Sequence, residues 1–266
     1  MDDINLDDYD IYIKTIQSSP FRCLIEALKE ILTDANIEID SSGIKIVAID
    51  TSHTVLVHLK LDASNFEIFH CKEKRQLGIN MMNFYKFIKI ISNNDTLSLY
   101  IDKNNYNNLG IKVENGDKNS LTKFNLKLLD ITDDKISIPA IEFESVITMS
   151  SSDFQKLCRD MNNIGDKMEI TSIDNVLKFK VDGDIGTAEH LLGQDLKNNL
   201  TINNNKANSI IQGIFNLKNL VMFTKCTNLC NQIKIFIKND YPLIIIYDVA
   251  SLGEIKLCLA PISINN

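Results

Sequence analysis

The chain has no apolar run approaching the ~20 residues of a membrane span. It has no GxGxxG pattern and no Walker lysine motif, so no glycine-rich loop is available to cradle phosphate. No Gly-x-Ser-x-Gly elbow occurs, and Asp50, Ser52 and His53 are too nearly contiguous to be a hydrolytic triad. The four histidines, His53, His58, His70 and His190, fall at no metal-ligand spacing. The six cysteines form no CxxC pair, and Cys226-x3-Cys230 lacks the second pair a zinc site needs. The expectation is a non-catalytic protein with no cofactor and no metal. Met1 is followed by Asp2, Asp3, Asp7, Asp8 and Asp10, the opposite of a signal peptide's basic start. The cysteines are therefore expected as reduced core thiols of an intracellular protein.

What is present is a hydrophobic fraction of 44% in 266 residues, enough for one large domain or two ordinary ones. The net charge of −7 argues against coating by nucleic acid through bulk charge. A local basic stripe remains compatible with it, because the field at a site follows local charge.

The chain before residue 129 resembles the chain after residue 140. Residues 1–10 read as an acidic, mobile arm. Ile11, Ile13 and Thr15 suggest a first strand. Ser18 and Ser19 offer a cap with Pro20 at the first helical position, and Phe21, Leu24, Leu28 and Ile31 share one helical face. Ser151, Ser152 and Asp153 offer another cap, and Phe154, Leu157, Met161 and Ile164 repeat the same spacing. Strands at Ile37/Ile39 and Ile44/Ile46 recur at Met168/Ile170 and Leu177/Phe179/Val181. A second helix, Met82–Lys89, recurs as Leu217–Lys225, each followed by an alternating strand. The offset is about 130 residues throughout. Duplication follows, and with it an α+β fold of two similar domains. The domains are placed at 11–128 and 141–266, with a connector at 129–140. Asn104–Asn108 and Asn198–Asn205 read as surface loops.

All four helices carry a pair of cations on one side. Arg22 and Lys29 lie seven apart, about 20° apart in helical phase. Lys86 and Lys89 lie three apart, as do Lys156 and Arg159, and Lys218 and Lys225 are again seven apart. For any one helix this is an ordinary solvated face. Four in four, inside an acidic protein, points to one anionic object. Phosphate backbone is the natural candidate, since Lys and Arg neutralise it without reading sequence.

Several separated segments then resemble the eukaryotic-type DNA sliding clamp, the proliferating cell nuclear antigen family. They are Leu24–Lys29 with Asp40–Gly43 and Asp50–His53, then Ser152–Asp160 running into Asn163–Asp166. Phe223–Lys225, Tyr241–Leu243 and Leu259–Pro261 follow in order, so the resemblance spans about Ile11 to Pro261. It implies a homotrimeric ring of two-domain subunits, with helices lining a hole that encloses double-stranded DNA. It also implies tethering of DNA polymerase, a clamp loader and other proteins that carry a short clamp-binding peptide. No membrane partner is implied. The implied site is the nucleus or another place of DNA replication, a viral replication compartment included.

The family's inward basic positions match Arg22, Lys29, Lys86, Lys89, Lys156, Arg159, Lys218 and Lys225. Its partner-peptide groove matches Ile49, His53, Ile136, Ile138, Pro139, Pro242, Leu259, Ala260 and Pro261. Its subunit contact matches Phe124 and Leu126 on one strand, with Ala188 and Leu191 on another. There are departures. Cys23 stands at a second basic position of the first helix, Asn163 ends the third, and Cys258 replaces an aromatic. Asp174 stands where relatives carry a modifiable lysine. Two further readings stay open: a subunit of a heterotrimeric checkpoint-type clamp, and a clamp-like processivity factor that closes no ring.

Overall fold

The computed structural model describes residues 4–132, 136, 141–194, 200–205 and 209–262. Two compact units form. One comprises Met1–Thr51, His58–Ile136 and Asp248–Ile255, the other Ser52–Val57, Ser137–Tyr247 and Lys256–Asn266. In chain order the strands are β1 Tyr9–Thr15, β2 Asp34–Asp40, β3 Gly43–Ile49, β4 Val55–Asp62, β5 Ile68–Cys71, β6 Arg75–Asn80, β7 Asp95–Asp102, β8 Asn105–Asn115 and β9 Ser120–Lys127. They continue as β10 Ser145–Ser150, β11 Lys167–Ile173, β12 Val176–Gly183, β13 Gly186–Gly193, β14 Thr201–Asn204, β15 Ile210–Asn216, β16 Gln232–Ile237, β17 Leu243–Val249 and β18 Gly253–Leu259. The helices are α1 Ser18–Ile31, α2 Met81–Ile88, α3 Ser151–Asn162 and α4 Leu217–Phe223. The expected α+β duplication is what the chain forms.

In the first unit a five-stranded antiparallel sheet runs β5-β1-β7-β8-β9, and β3-β2-β6 form a second antiparallel ladder. Period-two alternation puts Ile11, Ile13, Leu97, Leu99, Ile111 and Val113 in the core. The helical stripe Phe21, Leu24, Leu28 and Ile31 is buried too, and Phe21 meets Phe84 of α2 edge to face at 6.3 Å. In the second unit β13-β12-β11-β15 form one ladder and β14-β10-β16-β17 another. Phe154, Leu157 and Met161 of α3 are buried there, as are Leu217, Leu220 and Phe223 of α4.

Helix starts differ from expectation. Ser18 opens α1 but does not cap it; its hydroxyl donates to the Asp95 carbonyl at 2.5 Å, and Pro20 lies third in the first turn. The cap of α3 is Ser150, whose hydroxyl accepts from Asp153 N–H at 3.3 Å. Asn80 and Asn216 cap α2 and α4 in the same way, at 2.9 and 3.3 Å. The helix expected to reach Lys225 tightens after Phe223 into a 3-10 turn, Thr224–Leu229.

Three loop readings are corrected as well. The acidic arm takes regular structure from Asn5 onward. Asn5 caps a 3-10 turn over Leu6–Asp8, β1 opens at Tyr9, and the Tyr9 ring lies 5.0 and 5.4 Å from those of Tyr12 and Tyr100. The run at 104–108 enters β8 at Asn105, and Thr201–Asn204 form β14, because both segments find a ladder partner. The six thiols are free, yet only Cys158 and Cys226 are core residues; Cys23, Cys71, Cys230 and Cys258 are half-buried. Burial pushes the Cys258 thiol up to about 11 and those of Cys158 and Cys226 higher still.

The start of the connector is tied down. Leu129 N–H donates to the Gly78 carbonyl at 2.8 Å, and the Asn36 side chain donates to the Ile131 carbonyl at 3.1 Å. A Cβ at position 78 would lie 2.2 Å from the Leu129 carbonyl oxygen, so only glycine admits this approach. Gly78→Ala should therefore release the segment, at a cost of about 1 kcal/mol for the lost bond. Hydrogen exchange at the Leu129 amide and the rate of proteolysis near residue 131 would both rise several-fold. Unchanged protection would show that this bridge does not anchor the connector.

Candidate nucleic-acid interface

In the first unit, packing of the stripe at Phe21, Leu24 and Leu28 turns the opposite side of α1 outward. That side holds Arg22, Glu26, Lys29 and Glu30, and only the two acids are exposed. Arg22 Nη1 donates to the Ile91 carbonyl at 2.7 Å, while its Nε is buried without a partner. The Lys29 ammonium contacts the Glu30 carboxylate and lies 4.9 Å over the Tyr85 ring, leaving its side chain 12% exposed. Burial, followed by a hydrogen bond with Glu26, raises the Tyr85 phenol above its ordinary pKa. The expected α1 cations are thus partly committed to the protein. On α2, Lys86 and Lys89 are exposed, and Lys86 makes only a 3.1 Å bond to the Asn83 amide oxygen.

In the second unit Lys156, Arg159, Lys218 and Lys225 are all exposed. Lys156 pairs with Asp160 one turn on, at 2.6 Å. That hydrogen bond, together with the Asp160 charge, raises the Lys156 pKa. Among the described residues, Lys86, Lys89, Arg159, Lys218 and Lys225 make no ion pair. Tyr85, Glu30 and Asp160 were not singled out from sequence. The i,i+4 spacing of Lys156 and Asp160 was a readable signal; the position of Tyr85 beneath Lys29 was not, because it depends on how α1 packs on α2.

The expected subunit-contact residues lie on two sheet edges. Strand β9 ends the five-stranded sheet and β13 ends the four-stranded one. Leu126 is buried, and Phe124 is half-buried with its ring 5.0 Å from Phe87 of α2. Leu121 on β9 and Leu191 on β13 are 51% and 58% exposed, and Ala188 is half-buried.

Of the expected groove residues, Ile49 and Ile136 belong to the first unit, and Ile138 and Pro139 lie outside the described residues. In the second unit His53 is exposed at φ 55°, Ala260 is exposed, and Pro242 and Pro261 are half-buried. Leu259 is fully buried and supports the terminal segment from beneath instead of lining a surface. That segment is fixed by Ala260 N–H donating to Thr54 at 2.9 Å and Ile262 N–H donating to Ile214 at 2.8 Å.

Known proteins match this arrangement across its length. Residues 11–137 match the family described as proliferating cell nuclear antigen, N-terminal domain, and residues 137–262 match the C-terminal domain. The chain belongs to the proliferating cell nuclear antigen family. The junction of the two family domains, residue 137, coincides with one of the boundaries between the two compact units. A Paramecium bursaria Chlorella virus 1 protein named "Probable DNA polymerase sliding clamp 1" is 34% identical over 266 residues, 98% of this chain and 99% of that one. A mimivirus protein from Acanthamoeba polyphaga, "Probable DNA polymerase sliding clamp", is 34% identical over 230 residues, 85% of this chain and 49% of its own length. Among the described residues, no helix is long and apolar enough to cross a membrane.

Proposed function

We propose that this chain is a DNA polymerase processivity factor. It closes as a homotrimeric ring around double-stranded DNA, does no catalysis itself, and tethers replication and repair proteins at the site of DNA replication. The observation that carries this reading is the pairing of exposed cations with buried stripes. In both units α-helical packing turns lysine or arginine outward, as a non-specific grip on phosphate requires. Reversing Lys86, Lys89, Lys218 and Lys225 to glutamate should weaken binding to every duplex alike and flatten its salt dependence. The fold should survive, since all four side chains are exposed. Unchanged retention on circular DNA, or a strong sequence preference, would refute a DNA-facing role.

Ring closure is proposed through β9 of one subunit and β13 of the next. Phe124 and Leu126 mark the helix side of β9. Ala188, opposite buried Val181, marks the core side of β13. With these sides continuous across the junction, antiparallel pairing sets Phe124 against Ala188. Leu121 then faces Leu191, and Lys123 faces Glu189. The register buries the two exposed leucines on each other. Within its own sheet Lys123 stands opposite Lys112, a like-charge pair that an incoming carboxylate relieves. Lys123→Glu and Glu189→Lys should each shift the assembly from about 90 kDa, three chains of 30.1 kDa, toward monomer in light scattering. The double exchange should restore the trimer. Equal dissociation in the double variant would exclude this register.

For partner proteins, the proposed contact in the second unit is the apolar strip of Pro242, Ala260 and Pro261. Its ligand is a short peptide anchored by aliphatic and aromatic side chains. A carboxylate placed in such a strip is desolvated by the peptide without a partner. Ala260→Asp should therefore weaken peptide binding by roughly tenfold or more, about 1.4 kcal/mol, in a fluorescence titration. Trimer mass should not change. Equal affinity would remove the terminal segment from the contact.

A further inference from the structure

We propose that Glu30 and Asp160 are counter-charges that weaken the helices' grip on DNA, so that a held duplex is free to slide. The inference rests on the DNA-facing reading above and concerns how strongly that face binds. Among the described residues, one helix lysine in each unit is paired with an acid of its own helix. Asp160 Oδ2 lies 2.6 Å from Lys156 Nζ, with side chains 60% and 78% exposed. Glu30 Oε1 contacts Lys29 Nζ, which lies 4.9 Å over the Tyr85 ring. The two pairs occupy different positions of the repeat. With Phe21 aligned on Phe154, Glu30 corresponds to Asn163 and Asp160 corresponds to Ala27.

Stability does not account for these acids. The exposed Lys156–Asp160 pair contributes little to folding. Both acids also occupy the last turn of their helices, where a negative charge opposes the helix dipole. Their effect is on an approaching anion. A lysine bonded to a carboxylate must break that pair to meet a phosphate, or bring the carboxylate against the phosphate. Either way the contact releases less than a full counterion. The unpaired Lys86, Lys89, Arg159, Lys218 and Lys225 attract, and the masked Lys29 and Lys156 add little. A shallower attraction is easier to leave, which is the condition for moving along the backbone.

The test uses the full chain, fluorescent duplex DNA and three proteins: wild type, Glu30→Gln with Asp160→Asn, and Lys86→Glu with Lys89→Glu. The amide variant keeps side-chain shape, so its melting temperature should match wild type. It should bind duplex roughly tenfold tighter at low salt, with a steeper fall in affinity as salt rises, and diffuse several-fold more slowly along stretched DNA. The lysine variant should bind more weakly. If the lysine variant weakens while the amide variant keeps wild-type affinity, salt slope and diffusion, the counter-charge role is wrong and the DNA-facing reading stands. If the lysine variant binds as wild type does, the DNA-facing reading fails and the counter-charge role fails with it.

Discussion

Burial of one apolar stripe per helix sets the remaining geometry of each unit. Phe21, Leu24 and Leu28 cannot face water without losing roughly 1.5–3 kcal/mol each. They rotate α1 until they are enclosed, and Phe154, Leu157 and Met161 do the same for α3. A helix has only one degree of rotational freedom about its axis. Once the stripe is fixed, the residues between its members are fixed as well. The outward placement of Lys156 and Arg159 is thus a by-product of core packing, needing no interaction of their own. The same argument holds for Lys86 and Lys89 on α2, where Phe84 and Ile88 are buried.

The sheets carry a second constraint, the need to occupy strand edges. Several edges are covered within the chain. Leu129 bridges to β6 at Gly78. On β15 the Asn239 side chain acts as a substitute strand, donating to the Ile210 carbonyl at 3.0 Å and accepting from Gln212 N–H at 2.8 Å. Ile262 continues the cover at Ile214. Strands β5 and β14 are short, four residues each. Strands β9 and β13 are eight residues each, end their sheets and carry exposed leucines. A long edge with apolar side chains is the arrangement that a second chain satisfies.

Periodicity made the helices and most strands legible, because alternation and 3,4,3 spacing are direct images of burial. It failed where a partner decides. The asparagines at 105–108 carry no apolar alternation, yet they extend β8 because β9 lies alongside: Asn108 pairs with Lys127. Asn80 and Asn216 cap their helices without a readable signal, because each ends a strand with no polar cluster to mark a break. At the candidate site, helical phase placed Arg22 and Lys29 on the polar side correctly. It could not show that Ile91 and Tyr85, both distant in sequence, would engage them. Alternation carried to the end of β18 separates buried Leu259 from exposed Ala260 and half-buried Pro261.

The net charge of −7 and a grip on a polyanion are compatible because screening is short-ranged. At physiological salt, charges separated by more than about 8 Å of water scarcely act on each other. What matters is the charge within a few ångströms of each exposed helix cation, and among the described residues Lys86, Lys89, Arg159, Lys218 and Lys225 have no carboxylate at ion-pair distance. Overall negative charge then has a separate consequence: nucleic acid is repelled from most of the surface and attracted only where cations are unpaired. A protein that must hold DNA in one orientation gains from that contrast, since a uniformly basic surface would bind the duplex in many.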